Sequence, residues 1–266
     1  MNGVEDINYF ELFTGYALML IPILILWYYK TGLVKDTIFA TIRMTVQLLL
    51  VGVYLEFFFE LNNIYVNISW VLTMLIIATF TIIRRSGLQF KFFFIPVFLS
   101  GLISIAITDA YFLGFVVKLD NVFDARYFIP ITGMLLGNTI KNVIISLDAY
   151  YKRIDQEQNL YRWYLCNGAS HKEALLPFMR DALRSAFNPL IATTAIMGLI
   201  SLPGMMTGQI LGGSNPNVAV KYQIMLLITI FSSAILNVVL TILFSNKIAF
   251  DKYLNLKKEI FRAKLR

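Results

Sequence analysis

Apolar runs of about 20 residues recur along the chain, and short polar segments separate them. A helix needs about 20 mostly apolar residues to cross a hydrocarbon core about 30 Å thick. Seven stretches meet or approach that length: Phe10–Tyr29, Thr37–Phe59, Ile68–Ile83, Phe92–Phe112, Tyr127–Leu147, Ala186–Met206 and Tyr222–Phe244. The third is short, and the sixth is interrupted by Pro189 and Pro203. The pattern predicts an all-α polytopic membrane protein with seven transmembrane helices in one domain spanning residues 1–266. No linker, low-complexity tract or internal repeat divides it.

The polar segments add an orientation. Lys and Arg collect in short cytoplasmic loops because positive residues resist translocation. They are dense in the first loop (Lys30, Lys35), the third (Arg84, Arg85, Lys91) and the fifth (Lys141, Lys152, Arg153, Arg162, Lys172, Arg180, Arg184), and again in the tail from Lys247. The second loop has none, the fourth only Lys118 and Arg126, and the sixth only Lys221. Odd and even loops alternate, which predicts the N-terminus outside and the C-terminus in the cytoplasm. A six-span reading would spoil the alternation. Glu5 and Asp6 precede the first span with no Lys or Arg, so that span lacks the basic region of a cleavable signal and is expected to stay attached.

Composition narrows the function classes. The 266 residues are 58% hydrophobic and 15% charged, against about 25% charged in a soluble domain, which argues against a soluble globule. The net charge of +7 then belongs to the cytoplasmic face of a membrane rather than to nucleic acid. One Cys (Cys166) permits no internal disulfide, and one His (His171) leaves little room for a His-based metal site or general base. No hydrolase constellation and no G-x-x-x-x-G-K-[ST] loop occurs. No catalytic site of its own is therefore expected, and any ATP-driven process must use a nucleotide site on another polypeptide.

The largest polar piece is the fifth loop, roughly Asp148–Ser185. It reads as helix, turn, helix, broken at Asn167-Gly168. Ser170 and Glu173 form an S-x-x-E capping pair ahead of Leu175, Leu176, Met179 and Leu183. A plain solvated connector fits the periodicity equally well. Arg43 and Gln47 lie one turn apart within the second span, either as a buried structural network or along a substrate path. Asn138, Lys141 and Asn142 are expected to share a face of the fifth span. Glu56, Glu60 and Asp109 fall near outer span ends, where solvated carboxylates are ordinary. Met134, Met205 and Met206 carry thioethers that suit soft metals, but Met is also common core filler. Neither a permanent metal site nor a cofactor is expected. Gly133 and Gly137, and Gly204, Gly208 and Gly212, have the spacing of close helix approach. Pro203-Gly204 should break the sixth span, leaving Gly208–Asn217 as a loop or re-entrant turn. The tail after Asp251 is either laid on an anionic leaflet or solvated.

Longer motifs carry a resemblance. The runs RMTVQLLLVG (Arg43–Gly52), PITGMLLGN (Pro130–Asn138), NGASHKEALLPFMRDALRSAFNPL, GLISLPGMMTGQILGG and NPNVAVKYQIM are similar to those of FetB-type permeases. These are membrane subunits of a bacterial ABC system linked to iron export, and plant aluminium-tolerance permeases belong to the same family. The turn departs from the family's usual Leu-Gly-Ala-Thr, having Asn167-Gly168-Ala169-Ser170. The resemblance implies a permease subunit in the cell membrane, paired with a separate ABC ATPase and with a second permease copy. It implies that Asn167, Gly168, Ala169, Ser170 and Glu173 form the element docking into the ATPase. It makes Pro203, Gly204, Met205 and Met206 a hinge or outer gate, with Arg43, Gln47, Met134 and Asn138 near the path. The rival reading is a stand-alone secondary carrier. The Pro203 break suits it, but no mid-membrane carboxylates, which such carriers use, are expected.

Overall fold

The computed structural model describes residues 8–261. Helices α1 (Tyr9–Gly15) and α2 (Leu20–Tyr28), joined by one 3-10 turn, make a first apolar rod, and α3 (Val34–Leu61) makes a second. Then come α4 (Ile64–Arg85), α5 (Phe90–Asp109) continuing as a π-helical stretch Ala110–Val116, α6 (Ala125–Gln156), α7 (Gln158–Cys166), α8 (His171–Ile196), α9 (Gly204–Leu211) and α10 (Pro216–Ala249). Six helical segments are long and apolar enough to cross a membrane, and the described residues form no strand. Helix ends follow local chemistry. Asn63, Asp124 and Asn215 cap α4, α6 and α10 by accepting from backbone N–H groups two residues on, which satisfies donors that a helix start leaves free.

Helices α4, α5, α6 and α10 pack as a bundle, and α8 lies along α6. Lipid tails are as apolar as Leu, so helices in a membrane are held by close packing and polar contacts. Both occur between α5 and α10. Small polar residues recur every fourth position on α10 (Thr229, Ser233, Asn237, Thr241, Ser245) and on α5 (Ser100, Ser104, Thr108), and all are buried. Ser100 Oγ lies 2.5 Å from Thr241 Oγ1 and donates to Asn237 Oδ1 at 3.1 Å. Toward the basic end, Tyr151 donates to Ser245 Oγ at 2.7 Å, joining α6 to α10. Interhelical hydrogen bonds of this kind average about 0.6 kcal/mol in membranes, so the stripe acts as a row of small contributions that also fixes register.

Gly101 shows how close the approach is. A Cβ there would stand 2.6 Å from Leu75 Cδ1, inside the core. Gly101→Leu is expected to lower stability by about 1–3 kcal/mol through overpacking. A fall in the thermal transition in detergent would show it, whereas an unchanged transition would mean the α4–α5 contact can relax. Gly133 is a milder case, its Cβ position 3.1 Å from Met74 Cε, while Gly137, Gly204 and Gly208 face no neighbour in the chain.

The sixth apolar stretch is divided into two helices, as Pro203-Gly204 predicts. Helix α8 runs from the polar hairpin through Pro189 to Ile196, and the chain then turns at Met197–Ser201, where Gly198 (φ 84°) donates to Ser201 O at 3.0 Å. Pro203, whose ring removes the N–H and fixes φ, caps a new helix, α9. The break therefore falls where Pro203-Gly204 predicts it. Residues 208–211, however, are helical, and the loop is confined to Gly212–Asn215. Of the tail, residues 251–261 fold back onto the bundle, with Ile260 fully buried and Lys252, Tyr253, Lys258 and Glu259 exposed, while residues 262–266 lie outside the described residues.

The N-terminal rods stand apart. None of α2 is buried, and α3 buries only Phe58, which joins Ala125 and Ile129 beside Tyr54 and Trp70.

Candidate functional site: a polar hairpin and an outer cleft

A 32-residue helix is about 48 Å long at 1.5 Å per residue, well beyond a 30 Å hydrocarbon core. So α6 must project, and its basic end is the part that does. Tyr150, Tyr151 and Ile154 of that end are covered by α7 and the first half of α8, together with Ala174, Leu175, Phe178 and Ala182. Arg153 ties α6 to α8, pairing with Asp181 and, along its own helix, with Glu157 Oε1 at 3.1 Å. These ions are partly exposed, so the apolar layer beneath them does most of the holding.

At the tip, α7 ends in a Schellman turn. Ala169 N donates to Tyr164 O and Gly168 N to Leu165 O, both at 3.1 Å, with Gly168 at φ 88°. Asn167 Nδ2 closes back on Trp163 O at 2.7 Å. Helix α8 then opens with the reciprocal cap read from the sequence: Ser170 N donates to Glu173 Oε2 at 2.7 Å, and Glu173 N to Ser170 Oγ at 3.3 Å. Hydrogen bonding from the Ser170 side chain and backbone holds the Glu173 carboxyl below its usual range. The tip is thus a rigid turn between two helices. Trp163 and Leu176 lie exposed beside it, and Asn167, Gly168 and Ser170 are exposed on it.

The lone histidine stands behind the tip. His171 Nδ1 is 2.9 Å from Tyr161 Oη, and its ring is 4.7 Å from that of Phe250. Burial lowers its pKa from the ordinary value. The folded state then binds fewer protons than the unfolded chain around the ordinary histidine range near 6.5, so stability rises with pH there. Acidification from about pH 7.5 to about 5.5 is expected to loosen the hairpin, and His171→Phe is expected to flatten that dependence. Equal pH profiles of thermal unfolding for both proteins would contradict this.

The other predicted residues scatter. Arg43 and Gln47 are exposed on α3. Met134 is half-buried, and Asn138 is exposed, bonding back to Met134 O at 2.8 Å. Asn138 and Lys141 point outward whereas Asn142 is buried, so the three do not share one face. The reason is helical phase: Asn142 follows Lys141 by about 100°, far enough to enter the core. Met206 is buried, Met205 and Gly204 are exposed, and Pro203 is half-buried. Met205 and Gln209 of α9 close a cleft of about 330 Å³ with Arg126, Tyr127 and Tyr222. Arg126 also borders a second cleft, about 460 Å³, with Glu56 and Glu60. Among the described residues no cluster of three or more His, Cys, Asp or Glu could hold a metal ion.

Asp109 corrects the expectation of a solvated outer carboxylate. It is 3% exposed, accepts from Thr132 Oγ1 at 2.6 Å and has no partner for Oδ1. The π-helical stretch begins at the next residue, a distortion that often marks functional positions. Sequence reasoning misses both the Asp109–Thr132 pair and the α10 stripe. The four-residue spacing of Ser, Thr and Asn on α10 is the signal that could reveal the stripe.

The chain is a multi-pass membrane protein. Its residues 9–250 match the profile of an uncharacterised protein family, UPF0014. It is 30% identical to the UPF0014 membrane protein YjkA of Bacillus subtilis, over 88% of this chain and 92% of that one. It is 31% identical to the probable iron export permease protein FetB of Escherichia coli, over 84% of this chain and 86% of that one. It is 30% identical to the protein ALUMINUM SENSITIVE 3 of Arabidopsis thaliana, over 79% and 76%. No solved structure matches the chain.

Proposed function

The chain belongs to the UPF0014 family of membrane proteins, and from that premise we propose that it is the permease subunit of an ABC exporter in the cell membrane. ATP is hydrolysed by a separate ATPase subunit. The observation that carries this reading is the projecting hairpin: a rigid, capped turn at the end of two helices, with an exposed Trp163, continuous with spans that a push would tilt. In this reading residues 167–170 and Glu173 seat in the ATPase. The cargo is iron or a metal-linked small molecule, by likeness to the relative named a probable iron export permease.

Seven crossings follow if the apolar half of α8 (about 16 Å from Ala186) and α9 (about 12 Å) together complete the sixth. The N-terminus then lies outside, and the basic ends of α4, α6 and α10 lie in the cytoplasm. Two copies assemble, which would cover the exposed rods α2 and α3. Helix α9, hinged at Gly198–Pro203 and Gly212–Gly213, is the outer gate over the cleft at Arg126. Co-purification tests the partner directly. An ABC ATPase co-expressed with this chain should be retained on the tagged permease through detergent extraction, and its loss would count against the reading.

A second reading has one observation in its favour. A stand-alone carrier needs a carboxylate within the bundle, and Asp109 supplies one. In that case Asp109→Asn abolishes transport and ATP is irrelevant. Under the ABC reading transport stays ATP-dependent in that variant.

A further inference from the structure

We infer that residues 250–261 are a strap that makes the hairpin and the basic ends of α4, α5 and α10 one mechanical unit, with Tyr161 as its positioning residue. The inference rests on the docking reading above, and it concerns how force leaves the hairpin once received.

The strap begins where α10 ends. Phe250 lays its ring against His171, and Asp251 Oδ1 accepts from Tyr253 N and Asn255 N, both at 2.8 Å, closing a tight turn. Those bonds to the Asn255 and Tyr253 amides help hold the Asp251 carboxyl below its usual range. Leu254 sits in the turn at φ 60°, a left-handed conformation that is strained for a non-glycine residue and persists only where surrounding contacts impose it. What it achieves is visible. Leu254 O accepts from Tyr161 Oη at 2.9 Å, and the same hydroxyl meets His171 Nδ1. Tyr161 is 3% exposed, and burial together with the nearby Asp251 charge pushes its hydroxyl up to about 12, so it stays a neutral donor. One phenol thus joins α7, the first residue of α8 and the tail.

The other end of the strap is anchored elsewhere. Gln89 N, at the start of α5, donates to Ile260 O at 2.9 Å, and Leu88 pairs with Phe261. Lys257 Nζ caps the last turn of α10 at Ile248 O, 2.8 Å away. Apart from the strap, α7 packs mainly on α6 and α8. The strap adds a second route from residues 167–170 to α5 and α10, beside the one through α6 and α8. These two helices share the polar stripe, and α5 carries Asp109, so the added route enters the bundle at its polar core.

Tyr161→Phe keeps the ring packing and removes both hydrogen bonds. In vesicles holding the permease with its ATPase, and with iron citrate as the probe, the variant should bind the ATPase and hydrolyse ATP as before. Export per ATP should fall by about fivefold, the scale of one or two lost hydrogen bonds. Amide exchange at residues 88–89 and 254–261 should quicken in the permease alone, a change that loss of docking would not produce. Unchanged export per ATP overturns the strap. If the Phe variant does not insert, Arg162→Ala, which removes the exposed bond to Asn255 Oδ1, takes its place under the same criterion. ATP-independent transport by the unaltered protein defeats the docking reading, and the strap's role falls with it. ATP-dependent transport that Tyr161→Phe leaves fully coupled defeats the strap alone.

Discussion

Gly168→Trp is expected to abolish co-purification of the ATPase while the permease still inserts and remains folded. Two effects combine at this position. The φ of 88° is open to glycine and strained for any L side chain. In addition, no atom lies within 4 Å of the Cβ position, so an indole would project from the tip into the space the partner is proposed to fill. Gly168→Ala separates the two: it incurs the strain without the bulk and should retain most of the complex. Ser170→Ala, which removes one cap bond, should cost about 1 kcal/mol of helix stability and bind nearly normally. A complex that survives Gly168→Trp would place the docking surface elsewhere.

Arg43→Gln is expected to leave expression and assembly intact and to lower transport about tenfold. Arg43 lies inside α3, about 14 Å from its start and a third of the way along its 28 residues. A charge at a helix centre costs about 2.5–3.5 kcal/mol on insertion scales, less where the side chain reaches the interface, and an intramembrane Arg almost always faces protein or a water-filled cavity. Among the described residues it is exposed on α3. In the proposed dimer the second copy or the path between copies supplies its surroundings. A charge-assisted hydrogen bond to cargo or partner is worth about 1.5–3 kcal/mol, which sets the tenfold scale. Full activity in Arg43→Gln, measured with iron citrate in vesicles, would reduce Arg43 to a structural role.

What the sequence reveals and what it conceals divide along a physical line. Apolar runs, the Ser170–Glu173 cap, the turn at Gly168 and the break at Pro203 are properties of a few consecutive residues. Each is legible in the order of the amino acids alone. The pairings that build the interior are not local. Thr132 meets Asp109 across 23 positions, Ser100 meets Thr241 across 141, and Tyr161 meets Leu254 across 93. A Ser or Thr on an apolar helix carries no sign of which helix it will face, so the core stripe and the strap are hidden from a linear reading. Asp109 misleads for a related reason: its position near a span end implies water, whereas α6 covers it. The sixth span misleads differently. Hydropathy averages over a window, and the window does not register that Gly198 and Pro203 together divide the run into two helices.

The most direct test of the account is transport by the purified permease in sealed vesicles, with and without the ATPase and ATP, using iron citrate as the probe. The account predicts vectorial movement only when the partner and hydrolysable ATP are both present, lost when the partner's ATP site is inactivated. Undiminished movement by the permease alone, driven by an ion gradient and abolished by Asp109→Asn, would contradict it.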